Sequence, residues 1–447
     1  MKKLLTLTIV ALIALFAIPT MVQAGEADTA VKLADEIAGT DSVITLKKDI
    51  VLDSSIEIGR EVTIDLNGHT ITDSNLMTAD SLIIVLRGGE LTIKDSVGTG
   101  KIAATNKAGG RICVKMTKAS GTTEPKAVLV VESGTLEADS FAISGNGNPD
   151  RINTEITING GKIIGKNAAA IFHPQLGTLI VNGGHIEGTT GIEMRSGNLE
   201  VNGGTIIGNG DEKVAPNGSG STVEGAGIAI SQHTTKNEIN VVINGGDVKG
   251  LSALVELTPE TNPAPEKVAI EINAGNFEAL GEGYDAVVSQ NVSNFISGGS
   301  FNTDVEEYMD DSLVSVEENG VFYVGEEHDI KVEKTENGTL KASLEKAVQG
   351  QTVELTVTPN EGYKLKSLTV ITAADSKVEV KDNKFTMPDL GVIVDAQFEK
   401  IPVVETPKAE EKDDTPKTGS IDVVLYASAI IATISLAGIV LVKKYTK

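Results

Sequence analysis

One phrase of alternating apolar residues closed by a turn returns along the chain: "ITINGGKIIG" from Ile156, "LIVNGGHIEG" from Leu179, "LEVNGGTIIG" from Leu199 and "VVINGGDVKG" from Val241. Looser copies start at Ile270 and Asn294, and upstream at Thr63, Ile84 and Val130. Alternate residues before the turn are Ile, Leu or Val, the period-two signature of a half-buried strand. Asn159, Asn182, Asn202, Asn244 and Asn273 are separated by 23, 20, 42 and 29 residues, and Ser297 follows 24 later. A period in the low twenties marks a solenoid. A second phrase keeps step, a small residue leading apolar ones at Ala170-Ile171, Gly191-Ile192, Gly227-Ile228, Ala253-Leu254 and Ala286-Val287. Each unit therefore predicts three short strands, one coil of a parallel β-helix.

The turn chemistry agrees. Asn tolerates left-handed backbone angles and Gly adopts them freely, so Asn-Gly can turn the chain sharply, and stacked Asn amides could bond from coil to coil. The competing expectation is a string of antiparallel hairpins, since Asn-Gly is also a hairpin signal, but such arrays repeat at about 8–12 residues and lack the synchronised second phrase. The spacing of 42 contains "NGDEKVAPNGSGS", which reads as a loop excursion. Ahead of the coils, "EADTAVKLADEIAG" has helical spacing with Val31, Leu33, Ala34 and Ile37 apolar, fit to cap the exposed end of the stack.

From about Ser42 to Phe301 these phrases resemble the right-handed, pectate-lyase-like β-helix superfamily. After about Gly320 the phrase stops, and clean alternation (Val353, Leu355, Val357) takes over. There "GYKLKSLTV", "FTMPD" and "VIVDAQF" resemble the internalin-type B-repeat family of small β modules, which implies a spacer or weak interaction unit. The Pro- and acid-rich "IPVVETPKAEEKDD" reads as a solvated linker.

The two ends are apolar. Lys2 and Lys3, an apolar run from Leu4 to Ile18 and the small-residue site "VQA" have the layout of a secretory signal peptide, with cleavage expected between Ala24 and Gly25. Val423 to Val442 carries no charge and is long enough to span about 30 Å as a helix. Lys443, Lys444 and Lys447 follow, on the side expected to be cytoplasmic. Thr415, Pro416, Lys417, Thr418 and Gly419 precede the span. Motif, span and basic tail in that order resemble the LPxTG-type cell-wall sorting signal of Gram-positive surface proteins, with Thr415 where the family has Leu. The resemblance implies that a sortase thiolate attacks the Thr418 carbonyl, releases Gly419 and passes the chain to a peptidoglycan amine. The expected organisation is a signal peptide (1–24), a β-helix with its capping helix (25–320), a B-repeat-like module (321–400), a linker (401–414) and a sorting signal (415–447). The fold class is all-β apart from the membrane helix.

Charge and chemistry narrow the function. Asp and Glu total 62 against 38 Lys and Arg, a net charge of −24, which repels nucleic acid and anionic lipid. Cys113 is the only cysteine, so no internal disulfide can form, and its apolar strand suits a buried thiol. Tryptophan is absent and other aromatics are few, a poor supply of rings for stacking on sugars. The β-helix superfamily includes polysaccharide lyases and hydrolases, so catalysis is the chief rival to adhesion. The best constellation is His173, Glu193, Arg195, His233 and Glu256 on the second-phrase strands, read as polar residues on a solvated sheet. It offers no stacked Asp pair and no repeated acid–base partner, and the polygalacturonase motifs are missing. "DVEEYMDD" from Asp304 matches no calcium loop. No metal or cofactor is expected. The reading is a surface adhesin or ligand-binding display protein for a host or cell-surface protein or glycan. A wall-anchored enzyme and a structural coat protein are the alternatives.

Overall fold

The computed structural model describes residues 24–105, 110–116, 125–147, 154–217, 220–232, 234–258 and 267–402. The signal-peptide run, the sorting motif Thr415–Gly419 and the apolar span to Val442 lie outside the described residues, as does His233. Among the described residues no helix is long and apolar enough to cross a membrane.

Three long sheets share the solenoid, and each coil passes through them in order. Sheet A runs from Ala24–Ala27 to Val268–Ile272, sheet B from Ile50–Leu52 through Gly299–Phe301, and sheet C from Ile56–Ile58 to Val287–Ser289. Neighbouring coils pair in parallel throughout, with Leu179 opposite Ile156 of the coil before and Leu199 of the coil after. This is parallel β-helix topology, and the hairpin array is excluded because successive strands enter different sheets.

Period two accounts for the interior. Val62, Leu91, Leu129, Ile156, Leu179, Leu199, Val241 and Ile270 form one inward column of sheet A in continuous register. All are buried, as are Ile163, Ile186, Ile206 and Val248 of sheet B and Ile171, Ile192, Ile228 and Leu254 of sheet C. Each such side chain contributes about 1.5–3 kcal/mol by leaving water. Stacking like on like lets every coil present the same shape to the next.

The Asn-Gly-Gly turn works differently from the sequence expectation. The Asn backbone is not left-handed at these turns; the second glycine is, as at Gly184 (φ +88°). The first glycine is needed for close approach, since a Cβ on Gly183 would lie 2.8 Å from the Asn159 carbonyl oxygen of the coil before. The Asn is thereby left in position to project its carboxamide outward.

The N-terminal end is closed by the helix Ala30–Ala38. Thr29 accepts from the Lys32 N–H at 3.2 Å to cap it, and Leu33 and Ile37, one turn apart, are its buried stripe, while Val31 faces solvent. Arg60 satisfies the other end, donating to the carbonyls of Ile37 and Glu36 at 2.7 and 2.8 Å and of Asp41 at 2.8 Å. At the far end the hairpin of Val314–Glu318 and Val321–Gly325 pairs antiparallel onto Gly299–Phe301 and covers the edge of sheet B. The solenoid therefore reaches Gly325, beyond the boundary expected at residue 320. His328 then opens a module of a five-stranded and a three-stranded sheet with its own core, including Ile330, Val353, Leu355, Phe385 and Val394.

Candidate functional site

The insertion expected to be a loop is a β-hairpin, Lys213–Asn217 against Gly220–Glu224. It leaves the chain at the corner between sheets B and C and folds over the outer face of sheet C. Thr190 Oγ1 donates to the Val223 carbonyl at 2.8 Å, and Val223 packs in a small apolar cluster with Ala226 and Ala229, flanked by Val255 and Leu257. The Asn217-Gly218 dipeptide is the signal that could have identified it.

This cover changes the environment of the candidate polar residues. Glu193 faces outward, between Phe172 and Ala229 in register, yet it is only 3% exposed and Arg195 1%. Arg195 Nη2 donates to Glu193 Oε1 at 2.6 Å and to Thr222 Oγ1 at 3.3 Å, and its guanidinium lies 5.8 Å from the centre of the Phe172 ring. Phe172 in turn stacks on Phe141 at 5.0 Å. Burial pushes the Glu193 carboxyl above its ordinary range, with the Arg195 charge opposing. The expectation of a solvated sheet fails here because a distant hairpin shields it.

His173 and Glu256 are not on that face. They belong to one inward column, His173, Met194, Ile230 and Glu256, and both are fully buried. A carbonyl only accepts, so His173 Nδ1 carries the proton it donates to the Ser196 oxygen at 3.0 Å. Its Nε2 is buried without a partner among the described residues, and burial pulls the imidazole down to about 4. Glu256 is a staple for the following coil. It accepts from the backbone N–H groups of Gln290 and Asn291 at 3.0 and 2.8 Å, and from the side chains of Asn291, Thr258 and Ser289. The constellation thus divides between an outer ion pair and two inward residues about a separate column.

The turn asparagines form one directional chain. Asn182, Asn202, Asn244 and Asn273 each donate from Nδ2 to the Oδ1 of the preceding turn Asn, at 2.8–3.0 Å. Asn159 begins the chain on Glu132 Oε1 at 2.9 Å, and Ser297 Oγ ends it on Asn273 Oδ1 at 2.9 Å. Cys113 is buried, with its thiol pushed up to about 12 by burial. The acidic run near residue 304 is occupied locally: Asp304 accepts from the Glu306 N–H, and Asp310 from Ser312. Among the described residues no group of three His, Cys, Asp or Glu side chains is placed to hold a metal ion.

Among the described residues, two outer faces stay open. Sheet B is charged, with Lys101 and Lys166 both paired to Glu137, His185 paired to Glu187 at 2.8 Å and Lys249 to Glu278 at 2.7 Å. Sheet A presents a half-buried outward column of β-branched residues over six coils, Val43, Thr63, Thr92, Val130, Thr157 and Ile180. Beside it runs a second column, with Glu61, Glu90, Glu155, Asn198 and Asn240. Sequence reading placed the binding role on the flat faces without choosing one, because which face stays uncovered depends on the hairpin.

Residues 328–402 match the family model described as Divergent InlB B-repeat domain, which covers the module and none of the solenoid. No curated protein and no solved structure matches this chain.

Proposed function

We propose that this chain is a surface-display protein of a Gram-positive cell, exported through its N-terminal signal and joined to peptidoglycan at Thr418 by a sortase. In this reading the solenoid, of the right-handed pectate-lyase-like type, binds a host or cell-surface protein or glycan through the outer face of sheet A. The observation that carries the binding role is the continuous β-branched column from Val43 to Ile180, a flat surface that no other described element covers. The B-repeat-like module at 328–402 supports display outside the cell. It serves as a stalk between the solenoid and the wall.

Binding is favoured over polysaccharide cleavage by the state of the polar constellation, since Glu193 and Arg195 bond each other and Glu256 is filled with backbone and side-chain donors. Cells displaying the protein are screened against matrix proteins and glycans, alongside a variant carrying Thr157→Lys and Ile180→Lys. Loss of a ligand in the variant, with display unchanged, is the expected result. Binding that survives both substitutions rules out this face. Release of unsaturated uronates from polysaccharide by the same cells establishes the enzyme instead. For anchoring, Thr418→Ala should abolish release of the protein by muralytic digestion, and unchanged release defeats the sorting assignment.

A further inference from the structure

Asn-Gly has a chemistry as well as a conformation. The glycine backbone nitrogen can attack the asparagine Cγ, because no Cβ obstructs its approach. Attack needs a carboxamide free to swing toward that nitrogen, and a group to take the N–H proton. The chain holds Asn-Gly in several settings, and the structure separates three of them: the turn ladder, Asn67-Gly68 and Asn319-Gly320.

In the ladder both ends of the carboxamide are engaged. Asn182 donates to Asn159 and accepts from Asn202, and the Gly183 N–H is itself bonded to the Ile158 carbonyl at 3.3 Å. At Asn67-Gly68 a carboxylate does sit on the glycine nitrogen, with Asp95 Oδ1 at 2.7 Å. There, however, Asn67 Nδ2 is held on the Leu46 carbonyl at 3.0 Å, and Val97 and Thr99 crowd Gly68. Asn319-Gly320 is the two-residue loop of the hairpin that caps sheet B, with Glu318 paired to Val321 across it. Both loop residues have positive φ, +55° and +81°, as a type I′ turn requires. Asn319 is exposed and its carboxamide makes no hydrogen bond among the described residues, and space around Gly320 is open. The Gly320 N–H points at the Glu317 carboxylate, 2.7 Å away.

We propose that Asn319 is a self-modification site, at which Glu317 acts as general base for conversion to aspartate and isoaspartate. The Gly320 nitrogen bonds to Asn319 Cγ while its proton passes to Glu317. The tetrahedral adduct then collapses, Glu317 returns the proton to the departing amide nitrogen, and ammonia leaves a succinimide. Water adds to either ring carbonyl and opens it to aspartate or to isoaspartate. The sum is amide plus water giving acid plus ammonia, with no oxidant or reductant.

The position gives the reaction a consequence. Isoaspartate lengthens the backbone by one methylene in a turn that admits two residues only, and either product adds a carboxylate beside Glu317 and Glu318. Glu318 Oε2 accepts the Thr352 N–H of the module at 3.3 Å, so the altered hairpin is also part of the joint between solenoid and module.

The test is incubation of the full displayed chain at neutral pH in water of heavy oxygen, followed by peptide mapping that separates isoaspartate from aspartate. Label should enter at Asn319 ahead of Asn67 and the ladder residues in the same digest. Glu317→Gln should slow Asn319 by about tenfold, less than the hundredfold or more of a sequestered general base because solvent competes at an exposed turn. The ladder asparagines, protected only while the coils are intact, report that the variant is folded. Label appearing at Asn319 no sooner than at Asn67 overturns the proposal, and so does an unchanged rate in Glu317→Gln.

Discussion

Acid should loosen the coils around His173, and the size of the effect follows from its surroundings. The unfolded imidazole takes a proton near 6.5, whereas burial holds the folded one down to about 4. Between these values the unfolded state binds more protons, so stability is complete above the unfolded value and falls as pH drops through the window. At about 1.36 kcal/mol per pH unit the loss reaches about 3 kcal/mol by pH 4. The geometry gives the same sign independently: Nδ1 already donates to the Ser196 carbonyl, and a proton on Nε2 would be buried with no acceptor among the described residues. The control is His173→Met, because Met194 occupies the same column one coil on. The substitution removes one hydrogen bond, a cost of about 1 kcal/mol that does not vary with pH. A long stack need not unfold as one unit, so the measurement is native-state hydrogen exchange at amides of the neighbouring coils. The wild type should lose about 3 kcal/mol of opening free energy relative to the variant between about pH 7.5 and 4. Parallel pH profiles for the two proteins would refute the argument.

Other sites give equally direct tests. Asn202→Ala removes two ladder bonds and one to Glu200, all at the surface, and should cost about 1–2 kcal/mol in exchange protection of the adjoining coils, more than the same change at a surface Asn outside the ladder. Arg195→Ala strands a buried carboxylate and should cost about 3–5 kcal/mol, read as faster proteolysis within residues 213–224, while Glu193→Leu with Arg195→Met restores most of the loss. Cys113 should resist alkylation in the native protein at neutral pH and react at once in denaturant, since its thiol is buried and pushed up to about 12; labelling followed by mass spectrometry checks it.

What the sequence could reveal depended on how local its cause was. The inward columns were legible because alternation is a property of each strand alone, and the coil length followed from the spacing of the turn asparagines. The division of labour inside Asn-Gly-Gly was not, since the identity Gly does not say whether a position needs a left-handed angle or a missing Cβ. At Gly184 it is the first and at Gly183 the second. The polar constellation mixes both cases. With Ile171 and Leu254 facing in, alternation alone puts His173 and Glu256 inside and turns Glu193 out, so their failure to share a face was present in the spacing. The burial of Glu193 was not, because its cover comes from residues 213–224, in another coil and joined by a turn that reads as a loop. A solenoid admits such a hairpin cheaply: it enters and leaves at one corner, so Thr205–Gly208 and Ile228–Ile230 keep their register with the coils on either side. An outer face of this fold can therefore be closed by an insertion without disturbing the stack. Among the described residues, the open column of sheet A is then as much a consequence of where no such hairpin folds as of the residues that line it.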